Sequence, residues 1–495
     1  MNSSESMKRS KWEKLVERRS DFWKNYMMIV SLQEVKKIFG FTLQEHLTTR
    51  EGMNFTHWIS LQSVRRFSLQ IEHEIQKNTR FIGEILHIFE VAQRNLLSIN
   101  ERLKDTDFAS LADQKLRKIF HEFCEQYLAL YPGFHIGIYT STIEEKVKRW
   151  LLKQLKSTNQ EEKLNDYFIQ LTAPERPSLI QEEERELLNI VLKIKKKVTT
   201  KKTKKFLVDE HVAKYAGLPV INDEISPWNR SYFTRRLTVL LKKPLTQLQE
   251  QYQYICHLPT ETKKTKVKIY QLFFTPERIR QLFYFIGQTT WIRLVGRNTF
   301  ALAHHASRPL FEEIGRRHHL SFKEVKWLTV PEIDNLIAHD ILPPNQKIEE
   351  RKKTSLLLFR NGRIVIKEGE EAKRQIKKEL GSQLKKQIEE SLRGSVAYPG
   401  KVRGKVKIII TQKNLQKMRK GDILITRMTT VELLSAIRKA SAIVTDEGGI
   451  TCHAAIVSRE FKIPCIVGTK FATKVLKDDD IVEIDANQGI IKFTK

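Results

Sequence analysis

Apolar residues recur at helical spacing over most of the first 350 residues. The segment FIGEILHIFEVAQRNLLSINERL (81–103) is typical, with apolar positions three and four apart among charged ones. This pattern predicts a helical domain over 1–170. A break at LTAPERPS (171–178) contains two prolines, and Ser178 with a glutamine three residues later predicts a capping box that opens the next helix. A second helical domain is therefore expected over 171–350.

The longest candidate helix is ERIRQLFYFIGQTTWIRLVGRNTFALAHHASR (277–308), which is expected to end at Pro309. Viewed down this helix, four basic residues lie within about 60° of one another, at roughly 100° per residue: Arg293, Arg297, His304 and Arg308. Two interpretations fit this stripe. It is either a substrate-binding anion site facing a cleft or the solvent face of an amphipathic helix.

The pattern changes to strand-like alternation at TSLLLFRNGRIVIKEG (354–369). Its central Asn361-Gly362 predicts the type I′ turn of a β-hairpin, which we place at 351–370. The sequence that follows has apolar residues every four positions among charges. This narrow amphipathic pattern predicts a helical linker over 371–393.

The last 102 residues differ in kind from the rest of the chain. Short β-rich runs such as KVKIIIT, DILITR, AIVTD and DIVEIDA alternate with helical pieces and glycine turns. The pattern predicts a compact α/β domain over 394–495 with its own core. The fold class expected for the whole chain is multidomain, mainly helical in its N-terminal and central parts with an α/β domain at the C-terminus.

Composition adds a strong positive charge to this picture. The 495 residues carry a formal charge of +29, of which only +8 falls in residues 394–495. Eight lysines lie between Lys193 and Lys205, in KIKKKVTTKKTKK. This run is either a polyanion-binding patch or a solvated helix end, where cations favour the helix dipole. Nucleic-acid binding and a general lysine bias both explain the spread of charge.

The cysteines and the apolar runs limit the classes of protein to consider. The four cysteines (Cys124, Cys256, Cys452 and Cys465) have no CxxC spacing, so we expect neither a disulfide framework nor a zinc site. The N-terminal MNSSESMKRSKWEKLVERRS lacks the apolar core of a signal, and no run of about 18 apolar residues occurs. A cytoplasmic protein without a membrane partner is expected.

The segment GGITCHAAIVSREF (448–461) carries the clearest candidate chemistry. A buried strand, AIVTD, leads through a glycine turn into a helix with small residues, an arrangement that points backbone N–H groups at an anion. His453 opens that helix, and a largely neutral imidazole can attack phosphorus without a separate base. Thr451 is placed to cap the helix or to bind the phosphoryl group. The alternative is a histidine that only packs beneath the turn.

This segment resembles the phosphohistidine signature of the swivelling, or mobile, domain of phosphoenolpyruvate-utilising enzymes. The family includes phosphoenolpyruvate synthase, pyruvate phosphate dikinase and rifampicin phosphotransferase. KIPCIVG, GSVAYPGKVRGKVKII, GDILIT and DIVEIDANQGIIKF follow the same order around it. The resemblance implies a β/β/α swivelling domain in which His453 is phosphorylated and carries the phosphoryl group between two sites. Thr451, Gly448 and Gly449 are implied in the same site, with Arg459 or Arg438 supplying positive charge.

Three departures from the family pattern occur within this domain. Cys452 stands where many members have serine, Asp480 stands where a glycine is common, and RMTTVEL (427–433) lacks a frequent proline. Upstream, a weaker likeness to the helical region of the synthase-like and rifampicin-type enzymes covers RPLFEEIGRRHHLSFKEVKWLTVPEIDNLI. By that likeness the basic stripe helps to bind a small-molecule acceptor.

A donor site is not apparent in the sequence. The N-terminal part lacks the glycine-punctuated β pattern of an ATP-grasp domain, and no phosphoenolpyruvate-binding barrel is recognised. We therefore expect no cofactor or metal on this chain, and ATP with Mg²⁺, or phosphoenolpyruvate, supplied through a separate ATP-grasp partner. The favoured hypothesis is a phosphotransferase or a subunit of one. The alternative is a non-catalytic regulatory or polyanion-binding protein that retains the domain.

Overall fold

The computed structural model describes residues 12–196, 201–220, 225–390, 393–410, 412–429, 433–449 and 452–493, and only the backbone at 201–204, 382–390, 412–413 and 453. These residues divide into two compact units. One is Glu17–Gln375, and the other combines the start of the chain to Val16 with Ile376–Lys495. The expected fold class is confirmed: the N-terminal and central regions are mainly helical, and the C-terminal region is built on a sheet.

Helices make up most of the larger unit. They are α1 (Phe22–Phe39), α2 (Leu61–Lys77), α3 (Phe81–Asp105), α4 (Asp113–Ala129), α5 (Tyr131–Ile138), α6 (Ser141–Lys156), α7 (Leu164–Thr172), α8 (Leu179–Lys195), α9 (Lys201–Tyr215), α10 (Arg230–Leu241), α11 (Leu245–Leu272), α12 (Glu277–Ala306), α13 (Arg308–Arg317), α14 (Phe322–Val325), α15 (Val330–His339) and α16 (Asn345–Lys353). The helix α17 (Gly369–Glu390) covers most of the predicted linker.

A five-stranded sheet accompanies these helices, which corrects the expected domain division. Its strands are β1 (Trp12–Arg19), β2 (Glu45–Glu51), β3 (Asn54–Ser60), β4 (Thr354–Arg360) and β5 (Arg363–Glu368), in the order β1-β3-β2-β4-β5. The region 1–170 is therefore not purely helical, and the hairpin at 351–370 is not a separate element, because β4 pairs antiparallel with β2. The proposed boundary at 171 falls inside one compact unit.

The early strands escape sequence analysis because polar side chains occupy their buried positions. His46, Thr48 and Arg50 alternate along β2, and each is almost fully buried. A strand with polar residues on its inner face lacks the apolar alternation that identifies strands in a sequence.

Two local predictions are confirmed. Asn361 and Gly362 have φ of 51° and 84°, which is the type I′ geometry expected for the β4–β5 hairpin. Ser178 caps α8 in a reciprocal capping box with Gln181. Turn and cap chemistry of this kind is local, so the sequence alone specifies it.

The predicted helix 277–308 is two helices. α12 ends at Ala306, and α13 begins at Arg308 with Pro309 in its first turn. Proline is favoured there because the first turn of a helix lacks a partner for its N–H. Pro309 thus starts the next helix rather than stopping the previous one.

The lysine run between Lys193 and Lys205 stays a prediction. Lys195 donates its Nζ to the Lys243 carbonyl at 2.5 Å. Residues 197–200 and the side chains of 201–204 lie outside the described residues. Within the described part of the chain, no helix is both long and apolar enough to cross a membrane.

The C-terminal unit is built on a seven-stranded sheet. Its strands are β6 (Ser395–Tyr398), β7 (Lys401–Ile408), β8 (Ile423–Thr426), β9 (Ala442–Thr445), β10 (Cys465–Val467), β11 (Ile481–Asp485) and β12 (Ile490–Phe493), in the order β12-β11-β7-β8-β9-β10-β6. The four central strands β7, β8, β9 and β10 run parallel. Antiparallel strands close both edges.

Apolar side chains cover both faces of this sheet, as expected for parallel strands. The helices are α18 (Leu434–Ile437), α19 (His453–Phe461) and α20 (Ala472–Val475). One core packs α18 and α19 on the sheet, and the other packs α20 and β11. Ala454 and Ala455 are fully buried, so their small side chains let α19 lie close to β6, β9 and β10.

Candidate functional site

The candidate site lies at the carboxyl edge of the parallel strands. β8 ends at Thr426 and β9 at Thr445, and backbone pairing continues beyond both. Asp446 N donates to the Thr426 carbonyl at 3.1 Å, and Glu447 N donates to the Arg427 carbonyl at 2.8 Å. Loops that leave parallel strands at this edge are the usual place for ligand sites in open α/β sheets.

A glycine turn connects this edge to α19. Gly448 has φ of +109°, and a Cβ there would lie 2.8 Å from Cys452 Sγ. Gly468, with φ of +73°, follows β10, and a Cβ on it would lie 3.0 Å from the Gly448 carbonyl oxygen. Both positions therefore require glycine. The Gly449 carbonyl accepts from Cys452 N at 3.0 Å. A Cβ added at Gly449 would meet open space.

His453 is the first residue of α19. Cys452 precedes it in extended conformation as the N-cap and makes no side-chain capping bond. Thr451, which the sequence suggested as the cap, lies outside the described residues, as does the imidazole of His453. The backbone alone places His453 where a helix begins, next to N–H groups that favour negative charge.

Asp446 forms hydrogen bonds with the neighbouring loop at the same edge. Its side chain is 3% exposed, and the carboxylate accepts from Thr473 N at 3.0 Å, from the Thr473 hydroxyl and from the Thr469 hydroxyl at 3.3 Å. Its carbonyl accepts from Lys470 N at 2.8 Å. Sequence analysis missed this residue, although an acid that directly follows the apolar strand AIVT could have indicated it.

The first residues of the described chain contact this loop within the C-terminal unit. Lys470 has φ of +71°, and its Nζ pairs with Glu13 at 2.6 Å. Lys14 donates its Nζ to the Lys470 carbonyl at 2.6 Å and lies 4.6 Å from the centre of the Phe471 ring. The sequence gives no signal for these contacts, because more than 450 residues separate the partners.

Arg459 belongs to the same helix as His453. Six residues along a helix correspond to about 9 Å of rise, so Arg459 lies in the last turn of α19, where its Nε donates to the Ala397 carbonyl at 3.3 Å. Arg438 lies over the Phe461 ring, 5.4 Å from its centre, at the same far end. The role of these two arginines toward His453 stays a prediction.

The four basic residues of the predicted stripe fall into two separate groups. Arg293 donates its Nη2 to Thr290 Oγ1 at 3.1 Å. Arg297 remains accessible to solvent, yet the protein around it and the nearby Arg18 lower the pKa of its guanidinium. Arg293 and Arg297 are one turn apart on the same face.

The other two members of the stripe lie farther along. His304 is buried in α12, and Arg308 belongs to α13, where it pairs with Glu312 at 2.7 Å. Both line one small pocket. Seven residues separate Arg297 from His304, about 10 Å along the axis, so the four residues do not form a single cluster.

Comparison with known proteins identifies the C-terminal domain. Residues 418–489, from the approach to β8 to the turn before β12, match the family "PEP-utilising enzyme, mobile domain". The C-terminal domain is therefore a mobile domain of the PEP-utilising enzymes, as the resemblance predicted. His453 lies within the matched residues.

Several curated relatives contain a similar stretch. The chain is 49% identical over 127 residues to a probable phosphoenolpyruvate synthase of Archaeoglobus fulgidus, and 54% identical over 100 residues to that of Methanothermobacter thermautotrophicus. It is 42% identical over 106 residues to the uncharacterized phosphotransferase YvkC of Bacillus subtilis. These matches cover 26%, 20% and 21% of this chain, and 16%, 15% and 13% of the respective relatives. The similarity thus concerns about a quarter of the chain or less and a smaller share of each relative.

Proposed function

We propose that this protein is a phosphotransferase, or a subunit of one, in which His453 carries a phosphoryl group. The observation that carries the proposal is the position of His453 as the first residue of a helix at the carboxyl edge of a PEP-utilising enzyme mobile domain. The first residue of a helix lies beside backbone N–H groups without helical partners and at the positive end of the helix dipole.

The proposed chemistry has two steps. A ring nitrogen of neutral His453 attacks the donor's phosphorus, and the bond from phosphorus to the leaving oxygen breaks with its electron pair on that oxygen. An acceptor oxygen then attacks the same phosphorus, the P–N bond breaks, and its electrons return to the imidazole while the acceptor's proton leaves to solvent. Both steps depend mainly on positioning and on positive charge.

The phosphoryl donor is proposed to be ATP with Mg²⁺, or phosphoenolpyruvate, bound on a separate partner. We propose an ATP-grasp protein as this partner. The larger unit is mainly helical, whereas an ATP-grasp domain would show a glycine-punctuated β pattern. Mg²⁺ would neutralise the phosphates at that donor site. The partner and the donor are therefore proposed together.

The acceptor is proposed to be a small molecule bound by the larger unit. Arg293 and Arg297 support this assignment, because they lie one turn apart on one face of α12 and the charge of Arg18 also acts on Arg297. Guanidinium groups bind anions such as carboxylates and phosphates with paired hydrogen bonds.

Phosphoryl labelling tests the proposal. Wild-type chain is incubated with labelled ATP and a candidate ATP-grasp partner, or with labelled phosphoenolpyruvate, and bound label is measured after acid and after base. Phosphohistidine is lost in acid and kept in base. We expect such label on wild type and on His339→Ala, an exposed control, and no label on His453→Ala.

Two results would contradict the proposal. One is label of equal amount on His453→Ala, which would place the phosphoryl group elsewhere. The other is an unlabelled wild type with every donor and partner. Equal melting temperatures of the three proteins would exclude unfolding as the reason for lost label.

A further inference from the structure

The strand β5 lies at one edge of the five-stranded sheet. In the described strand order it has β4 on one side and no strand on the other. Its last residue, Glu368, accepts from Arg351 Nη2 of α16 at 2.9 Å, so the open part of the edge is 363–367. An edge strand presents backbone N–H and C=O groups to which another strand can pair.

The register of the hairpin determines which backbone groups face outward. In an antiparallel pair, residues that bond to their partner alternate with residues whose N–H and C=O point to the other side. The two-residue turn makes Arg363 a bonded residue, so Val365 and Lys367 also bond to β4. The N–H and C=O groups of Ile364 and Ile366 therefore point away from β4. No hydrogen bond from another part of the described chain reaches these four groups.

The apolar inner face of the sheet continues to this edge. Ile364 lies opposite Phe359, and Ile366 lies opposite Leu357. Phe359 and Leu357 are fully buried, whereas both isoleucines are only partly buried. Because the removal of apolar surface from water is favourable, a strand that covered the two isoleucines would extend the same core.

The solvent face of β5 carries positive charge. Arg363, Val365 and Lys367 alternate on this face, and the first two are exposed. Lys367 pairs with Glu371 at 2.8 Å, but both side chains are about half exposed, and surface pairs of this kind are weak. Opposite charges directly across two strands stabilise the pair. The edge therefore favours a strand with acidic side chains opposite Arg363 and Lys367.

A second copy of β5 does not meet this requirement. An antiparallel pair that bonds Ile364 of each copy to Ile366 of the other brings Arg363 of each copy opposite Lys367 of the other. Like charges directly opposite each other destabilise a strand pair. The charges of this edge thus select a different chain.

We propose that β5 binds an extended acidic segment of another protein as an added antiparallel strand. Two residues of that segment bond through their backbone to Ile364 and Ile366, and their apolar side chains extend the inner face. Acidic residues on either side of them pair with Arg363 and Lys367. Main-chain bonds supply affinity in this mode of recognition, and alternate side chains supply specificity. The surface is independent of His453, so it goes beyond the proposed phosphoryl transfer.

Fluorescence anisotropy of a labelled peptide, titrated with the full chain, tests this surface. The peptide is Ser-Glu-Ile-Thr-Ile-Glu-Ser with blocked ends, and its two isoleucines are designed to pair with Ile364 and Ile366. One control peptide has lysine in place of both glutamates. A second has N-methylated isoleucines, which keep the side chains and charges but lose two backbone donors. We expect both control peptides to bind roughly tenfold or more weakly.

Two variants of the chain test the same contacts from the other side. Ile366→Pro removes an outward N–H without removing a bond to β4, and edge strands tolerate proline at such positions. Arg363→Glu reverses one charge and leaves the backbone unchanged. Each should weaken binding of the glutamate peptide by roughly tenfold or more. The control Lys264→Glu changes an exposed lysine of α11 that pairs with Glu261, and it should bind as wild type does.

Several outcomes would overturn the proposal. They are an absence of binding between wild type and the glutamate peptide, equal binding of the N-methylated peptide, and equal binding by wild type and Arg363→Glu. A wild-type dimer in sedimentation velocity that becomes a monomer in Ile366→Pro would show that a second copy occupies the edge instead. Melting temperatures show whether the variants stay folded, and Arg363→Glu decides the test if Ile366→Pro is destabilised. Failed labelling of His453 would leave these results unaffected.

Discussion

The two candidate regions for phosphoryl transfer are built in opposite ways. At the C-terminal sheet, residues far apart in sequence meet at one edge: Thr426 ends β8, Asp446 follows β9 and Thr469 follows β10. On α12, residues close in sequence are spread along an axis, and Arg297 and His304 lie about 10 Å apart. A parallel sheet gathers its strand ends, whereas a helix distributes its side chains.

The larger unit and the C-terminal unit also differ in which polar side chains they bury. The larger unit buries a hydrogen-bonded chain of polar side chains, in which Tyr139 OH lies 3.1 Å from His46 Nδ1 and His46 Nε2 lies 3.2 Å from His57 Nδ1. His135 stacks between Tyr131 and Tyr139 and bonds Ser31 at 2.8 Å. The described C-terminal residues bury aspartates instead, and one of them, Asp446, lies at the candidate site.

Acid should therefore unfold the larger unit first, which is the largest effect we expect. Burial lowers the pKa of His46 and of His135 to about 3. Below pH of about 6.5 the unfolded chain takes up protons that the folded unit cannot, so stability falls as pH falls from 6.5 towards 3. Two such groups cost on the order of 5 kcal/mol at pH 4.5.

Urea unfolding followed by tryptophan fluorescence measures this effect, because six of the seven tryptophans lie in residues 17–375. His135→Phe keeps the ring stacking and removes one titrating group, so its stability should depend less steeply on pH. His339→Phe, at an exposed position, should keep the wild-type slope. An unchanged slope in His135→Phe would show that the buried histidines do not titrate on unfolding.

Two adjacent glycines provide the second test, at the sheet edge. Gly448→Ala forces a side chain into left-handed backbone against Cys452, at a cost of about 1–3 kcal/mol. We expect phosphoryl uptake at His453 to fall by roughly 10²-fold, since a small displacement of a reacting group has that effect. Gly449→Ala meets open space and should lose far less. Initial labelling rates measure both, and equal losses would show that the turn does not position His453.

Asp446 gives a smaller effect in the same region. Asp446→Ala leaves the buried Thr473 N–H and the two threonine hydroxyls without this carboxylate, which should cost about 2 kcal/mol of unfolding free energy. Asp480→Ala removes a carboxylate that accepts from Lys477 N at 2.7 Å in a more exposed place, and should cost less. Calorimetry of the two variants compares them. A cost for Asp446→Ala no larger than that for Asp480→Ala would mean that the edge does not depend on Asp446.

The elements that sequence analysis predicted are those with local signals. The Asn361-Gly362 turn, the Ser178 cap and the glycine turn before His453 each follow from the chemistry of a few adjacent residues. The strand β2 was missed because histidine, threonine and arginine alternate on its buried face. The strand β3 was missed because six of its seven residues are buried, so it lacks the alternation of a half-buried strand. Asp446 and Lys470 were missed because their partners, Thr473 in α20 and Lys14 in β1, come from other elements that only the fold brings close.

Arg459 gives the smallest expected effect. Arg459→Gln removes the bond to the Ala397 carbonyl at the far end of α19, so stability should change by no more than about 1 kcal/mol. The rate of phosphoryl uptake should stay within about threefold of wild type, because about 9 Å of helix separates this turn from His453. A tenfold loss at unchanged melting temperature, restored by Arg459→Lys, would show instead that the charge of Arg459 acts on the phosphoryl group. Such a result would show that a residue at the far end of a helix can act on the phosphoryl group as residues at the sheet edge do.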